Sequence, residues 1–268
     1  MLTREEIVSW FALESNHSEK IGFELEMWVV DQKSGNQLPF NRGKVGEQGM
    51  RELLLTLHLE CLGSEGWTIL EDEGVTTGLA HPDRGSLTLE PGCALEYSGP
   101  ALPSCTAALN EFYSTINKIR PIINSLGAAL MLLGNAPFGF NDRNNWLPKS
   151  RVNAQGDYFQ TKADGHSGHL VMSQICSLQV CLDLNAGDFS DKLRVSTALA
   201  PIMAALSANA YMVNGRSDKF ATRRQLVWLE SDALRTGTPP TLFSEHHRPY
   251  QLDEYIEWLL DMPMMFYV

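Results

Sequence analysis

No apolar run approaches the roughly 18 residues that a membrane span requires, so a helical membrane protein is excluded as a reading. Basic residues are in deficit: 21 Lys and Arg stand against 32 Asp and Glu, a formal net charge of −11. That balance leaves no general basic surface to displace counterions from nucleic acid. No G-x-x-x-x-G-K-[ST] or G-x-G-x-x-G occurs, which removes P-loop, Rossmann and kinase-type nucleotide sites. No G-x-S-x-G nucleophile elbow occurs either, and no cysteine is paired with a base in sequence. The five cysteines (Cys61, Cys93, Cys105, Cys176 and Cys181) form no CxxC pair, and their odd number fits reduced thiols. His166-Ser-Gly-His169 with Cys176 matches no standard zinc spacing, and His246-His247 reads as a solvated loop pair. The start, Met1 to Glu6, lacks the basic-then-apolar order of a signal peptide. With the unpaired thiols, this sets a cytoplasmic location as the expectation.

What the sequence does hold is 44% hydrophobic and 20% charged residues over 268 positions, enough for one sizeable core. No repeat or linker divides it, so residues 1–268 are read as a single domain. The most informative stretch is Ile21 to Val30. As a β-strand it sends alternate side chains to opposite faces. Ile21, Phe23, Leu25, Met27 and Val29 then make an apolar face, and Gly22, Glu24, Glu26, Trp28 and Val30 the other. Two steps of about 3.3 Å put the two carboxylates roughly 7 Å apart on one face. On a solvent-exposed face they are an ordinary polar edge; in a cleft they repel unless a proton or a cation sits between them.

Thr3 and Glu6 have the spacing of a capping box, predicting a short first helix. A loop with Gly35, Asn36 and Pro39 follows the carboxylate strand, then a second helix over residues 46–62. Trp67 to Leu70 and Ser86 to Glu90 read as strands about the acidic turn Glu71 to Gly74. Ala94 to Ser98 is a further strand, separated from Glu90 by Pro91-Gly92-Cys93, a turn or bulge. Ser104 to Leu126 is the clearest long helix, with Pro121 inside it and Gly127 ending it. Ala128 to Gly134 reads as a buried strand and residues 135–169 as a polar loop region. Cys176 to Leu184 alternates again, with Gln179, Cys181 and Asp183 on one face. A helix from about Phe189 to Val213, rich in small residues and so expected to pack closely, precedes an arginine-bearing stretch. A last amphipathic helix covers about Leu252 to Leu260. Strands and long helices without βαβ regularity predict an α+β fold, helices covering the outer side of a mostly antiparallel sheet.

Three strands thus place polar side chains on otherwise apolar ribbons: Glu24 and Glu26, Glu90 and Glu96, Gln179 and Asp183. Carboxylates gathered on one face call for divalent cations, and hard oxygen donors suit Mg²⁺. Arg223, Arg224 and Arg235 complement them, because guanidinium groups recognise phosphate and carboxylate through paired hydrogen bonds. Metal-holding acids with anion-holding arginines form the inventory of phosphoryl transfer.

Gly22-Phe-Glu-Leu-Glu26, Leu89-Glu-Pro-Gly-Cys-Ala-Leu-Glu-Tyr-Ser-Gly-Pro100, Leu178 to Asp183, Arg223 to Gly237 and Tyr255 to Phe266 (with Asp261-Met-Pro-Met264) occur in one order. Together they resemble the glutamate–cysteine ligase family of the plant and proteobacterial type, related to bacterial carboxylate–amine ligases. The resemblance implies a glutamine-synthetase-like curved sheet and an ATP- and Mg²⁺-dependent ligation. L-glutamate would pass through a γ-glutamyl phosphate to an amide with an amine, cysteine in the namesake reaction. It implies metal or substrate contacts for Glu24, Glu26, Glu90 and Glu96. It further implies glutamate or phosphate contacts for Arg223, Arg224 and Arg235, and substrate-side positions for Arg151, Gln179, Cys181 and Asp183. Cys93-Ala94 stands where the family has Gly-Gln, and Cys181 where it has Asn, so the amine acceptor need not be cysteine. The family's later Glu-x-Arg motif is not in this sequence. A shortened relative that binds without turnover therefore stays open, as does a metal-dependent hydrolase using the same carboxylates.

Overall fold

The computed structural model describes residues 3–11, 18–41, 49–136, 138, 143–161, 166–185, 187–213, 215–243 and 249–265. Helix α1 (Arg4–Trp10) begins as its sequence dictates. Thr3 Oγ1 accepts the Glu6 N–H, and the Glu6 carboxylate accepts the Thr3 N–H, which satisfies two end donors at once. Strand β1 (Ile21–Asp31) follows. Helix α2 (Met50–Leu57) starts later than the periodicity predicts; residues 46–48 lie outside the described residues. It continues through a π-turn over His58–Leu62 and a 3₁₀ turn over Gly63–Glu65.

Next come β2 (Thr68–Asp72), β3 (Val75–His81), β4 (Gly85–Leu89) and β5 (Leu95–Ser98). Strand β3 corrects the sequence reading, which ran the acidic turn directly into β4. Its residues are buried on both sides, so the polar–apolar alternation that marks a half-buried strand is missing. Glu73 (φ 54°) and Gly74 (φ 76°) are both left-handed, as a tight hairpin turn between β2 and β3 requires.

Helix α3 (Cys105–Ser125) is capped by Ser104 and runs through Pro121; β6 (Ala128–Met131) follows Gly127. The expected loop region at 135–169 is corrected too. It contains α4 (Ser150–Thr161) and the start of α5 (His166–Gln174), whose Gly156 and Gly168 and polar composition hide helical periodicity. Both glycines are needed for close approach: a Cβ on Gly168 would lie 2.0 Å from Phe159. Then come β7 (Leu178–Leu182), α6 (Phe189–Leu206), the two-residue strands β8 (Met212–Val213) and β9 (Arg216–Ser217), α7 (Arg224–Leu229) and α8 (Leu252–Asp261). Helix α6 stops short of Val213 because the small β8–β9 hairpin takes over.

The main sheet has the order β2-β3-β4-β5-β1-β6, with β7 also on β1, and all its ladders are antiparallel. The expected α+β class holds. Strand β1 is the hub: β5 pairs with Glu24–Met27, β7 with Ile21–Leu25 and β6 with Trp28–Asp31. Its apolar face carries Phe23, Met27 and Val29 into one core with α2 (Met50, Leu53, Leu54, Leu57) and α3 (Phe112, Ile116, Ile119, Ile123). The opposite face holds a smaller cluster around Trp28 and Val30, and beyond it the carboxylates. Among the described residues no helix is long and apolar enough to cross a membrane.

Candidate functional site

Register brings the carboxylates together. Glu26 of β1 lies directly opposite Glu96 of β5, and like charges at such a cross-strand pair destabilise unless something holds them. Glu90 follows β4, which pairs with β5, and its N–H donates to Ala94 O. The turn that presents Glu90 is clamped from three sides. Gly92 N–H donates to Met172 O, Gln37 Nε2 donates to Gly92 O, and Leu147 N–H donates to Pro91 O. Only glycine fits there, since a Cβ on Gly92 would come within 2.4 Å of Ser173 Cα.

The result is a group of three: Glu26, Glu90 and Glu96 each offer a ligand oxygen, all within 4.8 Å of one another. It is the one such group of three or more among the described residues, and neither His169 nor Cys176 joins it. Burial, opposed by the Ser177 N–H and Arg224 and reinforced by Glu96, pushes Glu26 up to about 7. Glu90 is driven up further by burial, by a hydrogen bond to Glu96 and by the charges of Glu96 and Glu26. Self-repelling, half-buried carboxylates at this spacing form an all-oxygen donor set, and that set fits a hard divalent cation such as Mg²⁺.

Glu24 sits one step along β1, between Ser98 of β5 and Gln179 of β7, and is raised by burial and by Glu96. Cys181 lies opposite Gly22 on the same face, its thiol raised by burial and by Glu24. The buried Cys93 and Cys176 thiols are likewise held up by burial, which is unfavourable for a nucleophile. Asp183, past the end of β7, accepts the Lys20 N–H.

The arginines divide. Arg224, at the start of α7, donates from Nη2 to Ser177 Oγ and lies close enough to Glu26 to favour its charged form. Arg151 of α4 acts in the same direction on Glu90. Arg223 pairs instead with Asp218 at 2.6 Å. Arg235 is held by buried Asp232 at 2.6 Å, by Tyr158 and by Pro263 O, in a network of its own. The structure therefore joins Arg224 and Arg151 to the acidic face and gives Arg223 and Arg235 other partners. Sequence reasoning missed Ser177. Its N–H donates to Glu26 Oε2 at 2.6 Å, and its carbonyl accepts the Glu26 N–H at 3.0 Å. The alternation that puts Gln179, Cys181 and Asp183 on one face puts Ser177 there too, and that is the available signal. His166's side chain and His246-His247 lie outside the described residues.

An antiparallel sheet with three carboxylates gathered on one face, and a helix-borne arginine beside them, makes this an α+β protein with a charged candidate site. Residues 20–268 match the Glutamate-cysteine ligase family 2 (GCS2), and the chain belongs to that family. It is 26% identical to the chloroplastic glutamate–cysteine ligase of Brassica juncea, over 99% of this chain and 49% of that protein. To the chloroplastic enzyme of Nicotiana tabacum it is 28% identical, over 99% of this chain and 48% of that one. To glutamate–cysteine ligase EgtA of Mycolicibacterium smegmatis it is 30% identical, over 69% of this chain and 42% of EgtA. The chain spans about half the length of the curated relatives it matches. The cytoplasmic expectation does not stand, because the plant relatives carry a chloroplastic designation. Unpaired thiols report a reducing environment and do not distinguish one reducing compartment from another.

Proposed function

We propose that this chain forms the carboxylate-bearing part of an ATP-dependent ligase that joins the γ-carboxylate of L-glutamate to an amine, cysteine first among the candidates. The observation that carries the reading is the Glu26–Glu90–Glu96 group, within 4.8 Å and beside Arg224, in a member of this family. Those three carboxylates, with Glu24 next to them, would hold Mg²⁺, which when bound neutralises phosphate oxygens of ATP. Arg224, and Arg151 from α4, would supply fixed positive charge to an anionic substrate group without reorganising during the reaction.

In the proposed chemistry a γ-carboxylate oxygen of glutamate attacks the γ-phosphorus of ATP, and ADP leaves. The amine nitrogen then attacks the acyl carbon of the γ-glutamyl phosphate. Inorganic phosphate departs and the nitrogen loses a proton, leaving the amide. Glu24, Gln179 and Cys181 line the neighbouring strip of the same face, where the substrates would be held in line. The test is ADP release from ATP and Mg²⁺ with glutamate, across a panel of amines. Amine-dependent ADP release with a stoichiometric amide product supports the ligase. A folded protein that binds the cation and releases no amine-dependent ADP overturns it in favour of binding without turnover. Amine-independent hydrolysis points to a hydrolase.

A further inference from the structure

Ser177 touches both halves of the candidate site, the carboxylate of Glu26 and the guanidinium of Arg224. Its backbone holds Glu26 at two points, N–H to the carboxylate and carbonyl to the Glu26 N–H. Its hydroxyl accepts from Arg224 Nη2 at 2.5 Å and also favours the charged form of Glu26. Arg224 opens α7, which packs on α5 just before Ser177 in sequence, so both partners stand on ordered elements. Arg224 Nε is buried and has no hydrogen-bond partner among the described residues. A buried guanidinium donor left unpaired is costly, and such a donor is met at functional sites by a ligand acceptor.

We propose that Ser177 is a positioning residue: its hydroxyl fixes the Arg224 guanidinium beside the carboxylate group, so that the remaining donors address an anionic, phosphate-bearing ligand there. The proposal rests on the cation-binding reading of those carboxylates and does not depend on turnover. Two hydrogen bonds to Glu26 come from the Ser177 backbone, so Ser177→Ala removes the arginine anchor and keeps both of them. Ser177→Thr keeps the hydroxyl.

The experiment measures Mn²⁺ affinity by electron paramagnetic resonance, then affinity of the Mn²⁺-loaded protein for inorganic tripolyphosphate by calorimetry, in the wild type and both variants. Ser177→Ala should bind tripolyphosphate about tenfold more weakly, the scale of one hydrogen bond to a charged group, and should lose clearly less in Mn²⁺ affinity. Ser177→Thr should restore the anion affinity. Equal tripolyphosphate affinity in Ser177→Ala overturns the proposal, as does parallel loss of Mn²⁺ and anion, which marks a merely structural role. Failure of threonine to rescue, or a wild type with no anion binding, overturns it too. If the wild type shows this split but releases no amine-dependent ADP, the positioning role stands and the ligase reading falls.

Discussion

Glu26 sits where two opposing demands meet. Burial and Glu96 favour its neutral form, while the Ser177 N–H and Arg224 favour the charged form that a cation needs. Glu26→Gln keeps an acceptor for Ser177 and removes one repelling charge, so the fold should persist. Amine-dependent ADP release should fall at least about 100-fold, because a ligand loss exceeds the usual cost of an outer partner. Retained turnover would remove this position from the metal set. The same residue sets a pH dependence. Its ordinary value is 4.5 and its folded value about 7, so between them the native state binds more protons than the unfolded chain. Metal-free protein should therefore lose thermal stability as pH rises through that interval, and saturating Mg²⁺ should offset the loss. Melting curves with EDTA or Mg²⁺ at several pH values check both. Arg235 belongs to a different class of prediction. Arg235→Ala removes the ion-pair partner of the buried Asp232 and should destabilise the fold by about 3 kcal/mol in urea titration. Its effect on the stable fraction's activity should be small beside that of Arg224→Ala.

At the scale of elements, β7 is unlike the inner strands β4 and β5 of the same sheet. Leu178, Val180 and Leu182 are 65%, 62% and 48% exposed, whereas Leu87 of β4 and Leu95 of β5 are fully buried. Helix α6 shares the condition, with Ile202 and Met203 more than half exposed, against the close packing its small residues predict. Composition alone reports what a helix can pack against, not whether anything lies there. Val180→Thr should change stability by less than about 0.5 kcal/mol. Leu87→Ala should cost about 3 kcal/mol through the lost burial and the cavity left behind. Paired urea titrations distinguish the two.

Elements with an exposed face or a cap were legible in the sequence: the Thr3–Glu6 box, the alternation of β1, the long period of α3. Those defined by tertiary surroundings were not. Strand β3 is buried on both faces, and α4 and α5 are interrupted by glycines that close approach demands. The candidate site follows the same division. Its carboxylates stood out because acids recur on apolar strands. The separation of Arg224 from Arg223 and Arg235 depends on which partner each meets after folding, and the two backbone hydrogen bonds of Ser177 to Glu26 have no side-chain pattern, although its hydroxyl shares the face of Gln179.

Across the whole molecule, one face of the seven-stranded antiparallel sheet packs on the helices α2 and α3, and the other is shared by the Trp28–Val30 cluster and the three carboxylates. That division explains how a strongly acidic chain with no P-loop can be read as a handler of phosphates. In the proposed reading, affinity would come from cations held between the acids and from the half-buried Arg224, not from a glycine-rich backbone cradle. Membership of the Glutamate-cysteine ligase family 2 fits this arrangement, and the chain corresponds to about half of its plant relatives. The proposed function requires the three carboxylates to act together as a cation site. Titration of the metal-free protein with Mn²⁺, followed by electron paramagnetic resonance in the wild type and in Glu90→Gln, tests this directly. The wild type should bind Mn²⁺ in competition with Mg²⁺, and Glu90→Gln should bind it at least about tenfold more weakly while melting no lower. Equal Mn²⁺ affinity in the two proteins would contradict the assignment of these carboxylates to a metal.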